Sequence, residues 1–159
     1  MWQDRKAFSE FIQLVLPYFY AVQIETNGSV PGDFFTTRSV SHIGQRMNYV
    51  HFVVDFKTHS SGMTDRMLPL LTFVTSFPPG TTYKFVIGNE KDFQQACRMV
   101  SRMKKIRRAD RFAFSACSTT MTHNSLFQLM EEKDLYDIRL NVQIHKVAAL
   151  NERSLAIPS

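Results

Sequence analysis

VVDFKTHSSGM, residues 53–63, is the stretch from which the fold can be read. It closes an apolar run, residues 49–56, and passes directly into a polar loop. A run that is apolar nearly throughout fits a strand of a parallel sheet with both faces covered. Asp55 and Lys57 mark its C-terminal end, followed by Ser60, Ser61 and Gly62. In α/β folds the loops after the C-terminal strand ends carry the ligand sites. Taken alone, Asp55 and Lys57 are equally well a surface ion pair of small consequence. The weight comes from recurrence: apolar strand, polar tip and helix return in that order along the chain.

Upstream, Phe8, Phe11, Ile12 and Val15 recur at helical spacing and predict an amphipathic helix over residues 3–16, closed by Pro17. Residues 19–24 read as a strand and ETNGSVPGD as a glycine- and proline-rich loop. Residues 34–46 are weakly patterned and fit a short helix. Downstream, Met67, Leu70, Leu71 and Val74 predict a helix with Pro69 in its first turns, and PPG at 78–80 a sharp turn. Residues 83–87 form a third strand ending in GNEKD. Asn89 is a helix cap there, with Glu90 and Asp92 in the first turn, where negative charge complements the helix dipole. Phe93, Ala96, Cys97, Val100 and Met103 supply the apolar stripe of that helix. Residues 111–115 are a fourth strand, 122–133 a helix through Leu126, Leu129 and Met130, and 138–144 a fifth strand. Residues 1–150 read as one domain and 151–159 as a tail without pattern.

Five strands alternating with helices predict an α/β fold with a parallel sheet and right-handed crossovers. At 159 residues the chain is too short for an eight-stranded barrel, which takes about 250, so the sheet is open or part of a barrel. A hydrophobic content of 44% excludes a disordered chain. The N-terminus MWQDRKAF lacks the apolar core of a signal peptide, and no run approaches a membrane span. Cys97 and Cys117 fit neither a metal spacing nor a disulfide framework, so a reducing cytoplasm is the expected compartment. The net charge of +5 is concentrated, because residues 98–111 hold seven Lys or Arg around KKIRR. Basic residues suit a helix C-terminus, and that reading is preferred over an anionic partner. Nucleic acid is not an expected partner.

The strand tips place Glu25, Asp55, Lys57, Asn89, Glu90, Ser115, Gln143 and His145 along one predicted rim. Carboxylates, an ammonium, amides, a hydroxyl and an imidazole in one row suit a polar, hydrogen-bonding ligand. Each tip alone is weak: the NG of residues 27–28 is a strong turn signal, and a lone histidine is more often structural. No nucleophile–base pair, metal cluster or phosphate loop stands out, so no catalytic residue and no metal ligand is assigned.

The runs QIETNGS, VVDFKTHSSGMTDRM, YKFVIGNEKDFQQA and IRLNVQIHK resemble, in type, order and spacing, stretches of the radical SAM enzyme 7-carboxy-7-deazaguanine synthase. The resemblance spans roughly residues 8–147. Its most specific pieces are SSGM after a strand-end lysine and the late QxHK; ETNG occurs across many radical SAM proteins. It implies a partial TIM-like (β/α) barrel, typically in a homodimer. The implied activity is that of a lyase making 7-carboxy-7-deazaguanine from 6-carboxytetrahydropterin, on the route to queuosine. The implied cofactors are S-adenosylmethionine, a [4Fe–4S] cluster and magnesium. By the same match Thr26 and Asn27 would lie near the cofactor's methionine or ribose. Asp55, Phe56 and Lys57 would form the strand tip that meets the cofactor, and Ser115 and Ala116 would lie by its adenine. Gln143 and His145 would face the pterin-like substrate, with Glu25 on the opposite side.

The departures bear on activity. The family's Cys-x3-Cys-x2-Cys motif is absent, and two cysteines twenty residues apart cannot supply three cluster thiolates. The GGEP segment that meets the methionine part of the cofactor is also missing. Ala116 and Cys117 stand where the family often has proline and a small apolar residue, and NERSLAIPS lacks the family's tryptophan-containing ending. The resemblance is therefore to a C-terminal half, as a fragment, a truncated gene product or one half of a split enzyme. By itself the chain is expected to hold neither cluster nor magnesium and to be inactive. Two functions follow: a radical SAM enzyme half, or a non-catalytic α/β binding or interaction module. The strand at 19–24 would be an aromatic-rich edge, with Trp2, Phe8 and Phe11 close by. Self-association or a partner chain is expected unless the N-terminal helix covers that edge.

Overall fold

Side chains alternate along a strand, and in this chain the alternation assigns the large apolar residues to one side. A computed structural model describes residues 5–32, 50–62, 68–117 and 119–142. Among the described residues five strands form one sheet: β1 (Val22–Thr26), β2 (Val50–Phe56), β3 (Thr82–Ile87), β4 (Arg111–Ala116) and β5 (Arg139–Leu140). Their order is β1-β2-β3-β4-β5 and every pair is parallel. This is the expected α/β architecture, and sequential parallel order is also what a segment of a (β/α) barrel has.

Helices α1 (Arg5–Val15), α2 (Leu70–Thr75), α3 (Glu90–Ile106) and α4 (His123–Glu131) connect or flank the strands. Their starts follow from local chemistry. Asn89 Oδ1 accepts from the amide of Asp92 at 3.0 Å, and Thr122 Oγ1 accepts from the amide of Ser125 at 3.0 Å. Pro69 precedes the first turn of α2, where a missing amide costs nothing. Among the described residues no helix is long and apolar enough to cross a membrane. The expected helix at 34–46, Met67, Gln143, His145 and the tail at 151–159 lie outside the described residues.

The described helices all contribute to one core against the sheet, as right-handed crossovers between sequential strands require. Phe8 and Ile12 of α1, Phe73 and Val74 of α2, Phe93, Val100 and Met103 of α3 and Leu126 of α4 join one apolar cluster. From the sheet the same cluster takes Ile24, Phe52, Val54, Phe56, Tyr83, Phe85, Ile87, Phe112 and Phe114. Phe85 stacks on Phe56 at 4.8 Å and meets Phe114 edge-on at 5.6 Å, tying the three central strands together.

Two readings of the sequence are corrected. Residues 49–56 do not form a strand with two like faces: Phe52, Val54 and Phe56 point into the core, whereas His51 is exposed and Val53 and Asp55 are half-buried. The first strand does not start at residue 19. Leu16–Tyr18 continue the chain as a turn of 3-10 helix with Pro17 inside it, and Phe19 and Tyr20 are exposed before β1 begins. An apolar run is not by itself a strand, and here Ile24 alone within β1 is buried. The NG turn after β1 is held by packing. Gly28 has φ +67° and lies so close to Phe73 and Val54 that a Cβ would meet them at 2.3 and 2.9 Å.

At the opposite end of the sheet Asp110 precedes β4 with its side chain fully buried. Its Oδ1 accepts from the amide of Gly80 at 3.1 Å, and the Arg107 guanidinium stands 3.8 Å away. Burial pushes the carboxyl from 3.8 up to about 6, against the opposing pull of Arg107 and the amides of Gly80 and Thr81. The folded protein therefore holds this proton more tightly than the unfolded chain. The stability linked to it is full below about pH 4 and falls as pH rises towards 6, by up to about 3 kcal/mol. Urea denaturation between pH 4 and 7 should show this slope in the wild type and not in Asp110→Asn; parallel curves would contradict the assignment.

Candidate functional site

The C-terminal ends of β2, β3 and β4 surround an open pocket of about 740 Å³. Lys57, Ser60 and Ser61 come from the loop after β2, Gly88 and Asn89 from the turn into α3, and Cys117 and Thr120 from the loop after β4. The wall is thus one ammonium group, several hydroxyls, an amide and a thiol over an apolar floor that includes Phe56 and Val86. Such a lining suits a small ligand with both polar groups and an apolar body.

The cation is part of a cluster on the face of the sheet turned away from the core. Asp55 on β2 is in register with Lys84 on β3, and the lysine Nζ lies 3.0 Å from Asp55 Oδ1. Lys57 Nζ lies 3.4 Å from Oδ2 of the same carboxylate. All three side chains are three-quarters or more out of solvent except Asp55, which is 28% exposed. Two ammonium groups share one carboxylate, which leaves one positive charge to meet an anionic group on a ligand.

The loop over the pocket is fastened from below. Thr58 Oγ1 donates to the carbonyl of Val86 at 3.1 Å, and the His59 amide donates to Gln95 Oε1 at 2.9 Å. The central fastening is Asp92, which is 1% exposed. Its Oδ1 accepts from the amide of Ser60 at 3.3 Å, and its Oδ2 accepts from the amide of Gly88 at 3.1 Å and from the hydroxyl of Ser60. One carboxylate thus joins the loop after β2 to the turn after β3. Residues 59–61 form a 3-10 turn that ends on Gly62 in the left-handed region, with φ +64°.

Of the residues assigned from the sequence, Phe56 and Lys57 line the pocket and Asp55 lies directly behind Lys57. Ser115 is buried on β4 opposite Val86, and Ala116 is buried opposite Ile87 on the core side. Neither of these two lines the pocket, and Ala116 faces away from the lysine cluster. Thr26 and Asn27 serve their own turn: Thr26 Oγ1 accepts from the amide of Gly28 and Asn27 Oδ1 from the amide and hydroxyl of Ser29. Glu25 is exposed on β1 and accepts from Gln23 Nε2 at 2.9 Å. Gln143 and His145 lie outside the described residues. Lys84 and Asp92 were not assigned to a site in advance. The signal for Lys84 was its place in YKFVI, a single cation on the alternate side of a strand.

The donor set does not fit a [4Fe–4S] cluster. Cys97 lies on α3 and Cys117 at the pocket, and the sequence holds no third cysteine. Comparison with protein-family models, with curated proteins and with solved structures finds no match for this chain.

Removing Asp92 tests the fastening. Asp92→Ala leaves the part-buried amides of Ser60 and Gly88 and the Ser60 hydroxyl without their acceptor and should cost about 1–3 kcal/mol. Amide exchange at Ser60 and Gly88 should quicken together in that variant, and far less in Asp92→Asn, which keeps one acceptor oxygen. Unchanged exchange at both amides would refute the role.

Proposed function

We propose that this chain is a ligand-binding half-barrel related to the C-terminal half of 7-carboxy-7-deazaguanine synthase, with S-adenosylmethionine as its ligand. The reading is supported by one observation above the rest, the pocket at the C-terminal ends of β2, β3 and β4 with Lys57 in its wall. Lys57 and Lys84 share Asp55, and the spare positive charge is matched by the carboxylate of the cofactor's methionine part. Ser60, Ser61 and Asn89 offer donors and acceptors to ribose hydroxyls. The remainder of the pocket floor is apolar enough for a base.

In this reading the chain binds and orients, and the radical chemistry belongs to a cluster whose thiolates it does not supply. A pterin-like substrate would be held from the side where the resemblance puts Glu25, Gln143 and His145. Isothermal titration with S-adenosylmethionine and S-adenosylhomocysteine should give saturable binding to the wild type. Lys57→Ala removes a charge-assisted hydrogen bond and should weaken it by about tenfold or more. No binding of either compound at millimolar concentration would defeat the proposal.

A second reading, a module that associates with another chain, rests on β1. Among the described residues this strand pairs on one side only, with β2. Tyr18, Phe19 and Tyr20 beside it are exposed, as are Phe11 and Leu14 of α1, while Phe8 is buried in the core. An open edge flanked by exposed aromatic rings favours pairing with a second chain. Light scattering over a concentration series should show mass growing with concentration; a monomer at every concentration, with slow exchange at the β1 amides, would exclude it.

A further inference from the structure

Helix α3 carries a row of charge that the pocket does not use. Lys91, Arg98, Arg102 and Lys105 are all exposed. At about 100° per residue they fall within an arc of about 60° on the helix. Their spacing carries positive charge along about 21 Å of helix at the usual rise. The opposite side is the buried stripe of Phe93, Ala96, Val100 and Met103, so the core holds the cations towards solvent. Arg108 and Arg111, also exposed, follow the helix end in sequence.

Among the described residues none of these six takes part in an ion pair; the nearby cations that do are Lys104 with Asp137 and Arg107 with Asp110. The acids of α3 are Glu90 and Asp92 in its first turn, and Asp92 is buried. The helix dipole favours cations in the last turn alone, which accounts for Lys104 and Lys105. It does not account for Arg98, two turns back, or for Lys91, which stands in the first turn where a cation is disfavoured.

We infer that this face of α3, continued by Arg108 and Arg111, docks the phosphate backbone of a duplex nucleic acid. A line of unpaired cations meets the requirement of backbone binding, which is sequence-independent and driven by counterion release. Other anionic partners need features this face lacks. Insertion into a membrane interface takes large apolar side chains among the cations, and the large exposed apolar residue of α3 is Ile106, 37% exposed. A tight protein partner usually places anchor side chains in well-packed pockets at the centre of the contact. A single strand needs aromatic rings for base stacking, and the aromatic rings of α3 itself and of the start of β4, Phe93 and Phe112, are buried.

The test is fluorescence anisotropy of a labelled duplex of about 20 base pairs, titrated with the full chain at several salt concentrations. Binding should weaken with salt with a log–log slope of about −3 to −4, as four or so phosphate contacts dictate. Combined Arg98→Gln, Arg102→Gln and Lys105→Gln should lower the affinity about tenfold or more at low salt and flatten the slope, with the circular dichroism spectrum unchanged. Lys57→Ala, at the pocket, should bind the duplex as the wild type does. Absence of binding at low salt would overturn the inference. So would an affinity indifferent to the triple substitution, or equal affinity for phosphatidylserine vesicles or polyglutamate.

Discussion

The contact of Phe85 with Phe56 on one side and Phe114 on the other is the interaction on which the remaining structure depends. These rings sit on three adjacent strands in register, so their packing sets how the strands lie against one another. A slip of one residue would turn every phenylalanine to the polar face and every lysine into the core. The register that joins Phe56 to Phe85 is also the register that joins Asp55 to Lys84. The apolar core and the ion cluster are therefore two faces of one arrangement. α2 and α3 add to the same stack, through Phe73 against Phe56 at 5.6 Å and Phe93 against Phe114 at 5.9 Å.

The pocket inherits its position from that register and its shape from hydrogen bonds. β2 and β3 end side by side, which brings the loop of Thr58 to Gly62 against the first turn of α3. Asp92, Gln95 and the carbonyl of Val86 then each take a donor from that loop. Asp92 takes up the amides of Ser60 and Gly88, so neither is left to a ligand. The cationic side of the pocket is consequently the β2 side, at Lys57.

Elements with strong local signals were legible in the sequence. The three central strands and α4 coincide with the expected ranges to within a residue or two at most ends, and α3 starts at the expected Asn89 cap. The parallel order followed from alternation of strand and helix. The start of β1 was not legible, because Phe19 and Tyr20 are apolar yet exposed, and hydropathy cannot tell an exposed aromatic from a buried one. Lys84 and Asp92 were hidden for another reason. Each acts through a partner about thirty positions away, Asp55 and Ser60, and only strand register brings such pairs together. Asp92 carried a sufficient local explanation as a first-turn acid, which concealed its contact with Ser60.

Sequential strand order also governs how the chain can fold. Val22 pairs with Val50, 28 positions on, Thr82 with Arg111, 29 on, and Ala113 with Arg139, 26 on. Every strand pairing thus closes a loop of about one β-α-β unit, and the entropy of closure is nearly the same at each step. No pairing has to wait for distant ends of the chain to meet, as it must in sheets whose order departs from the sequence. Folding can nucleate at the phenylalanine-rich centre and grow one unit at a time in both directions. The front of that growth is always an open strand edge, so the speed of each addition decides how long the chain is exposed to pairing with its neighbours.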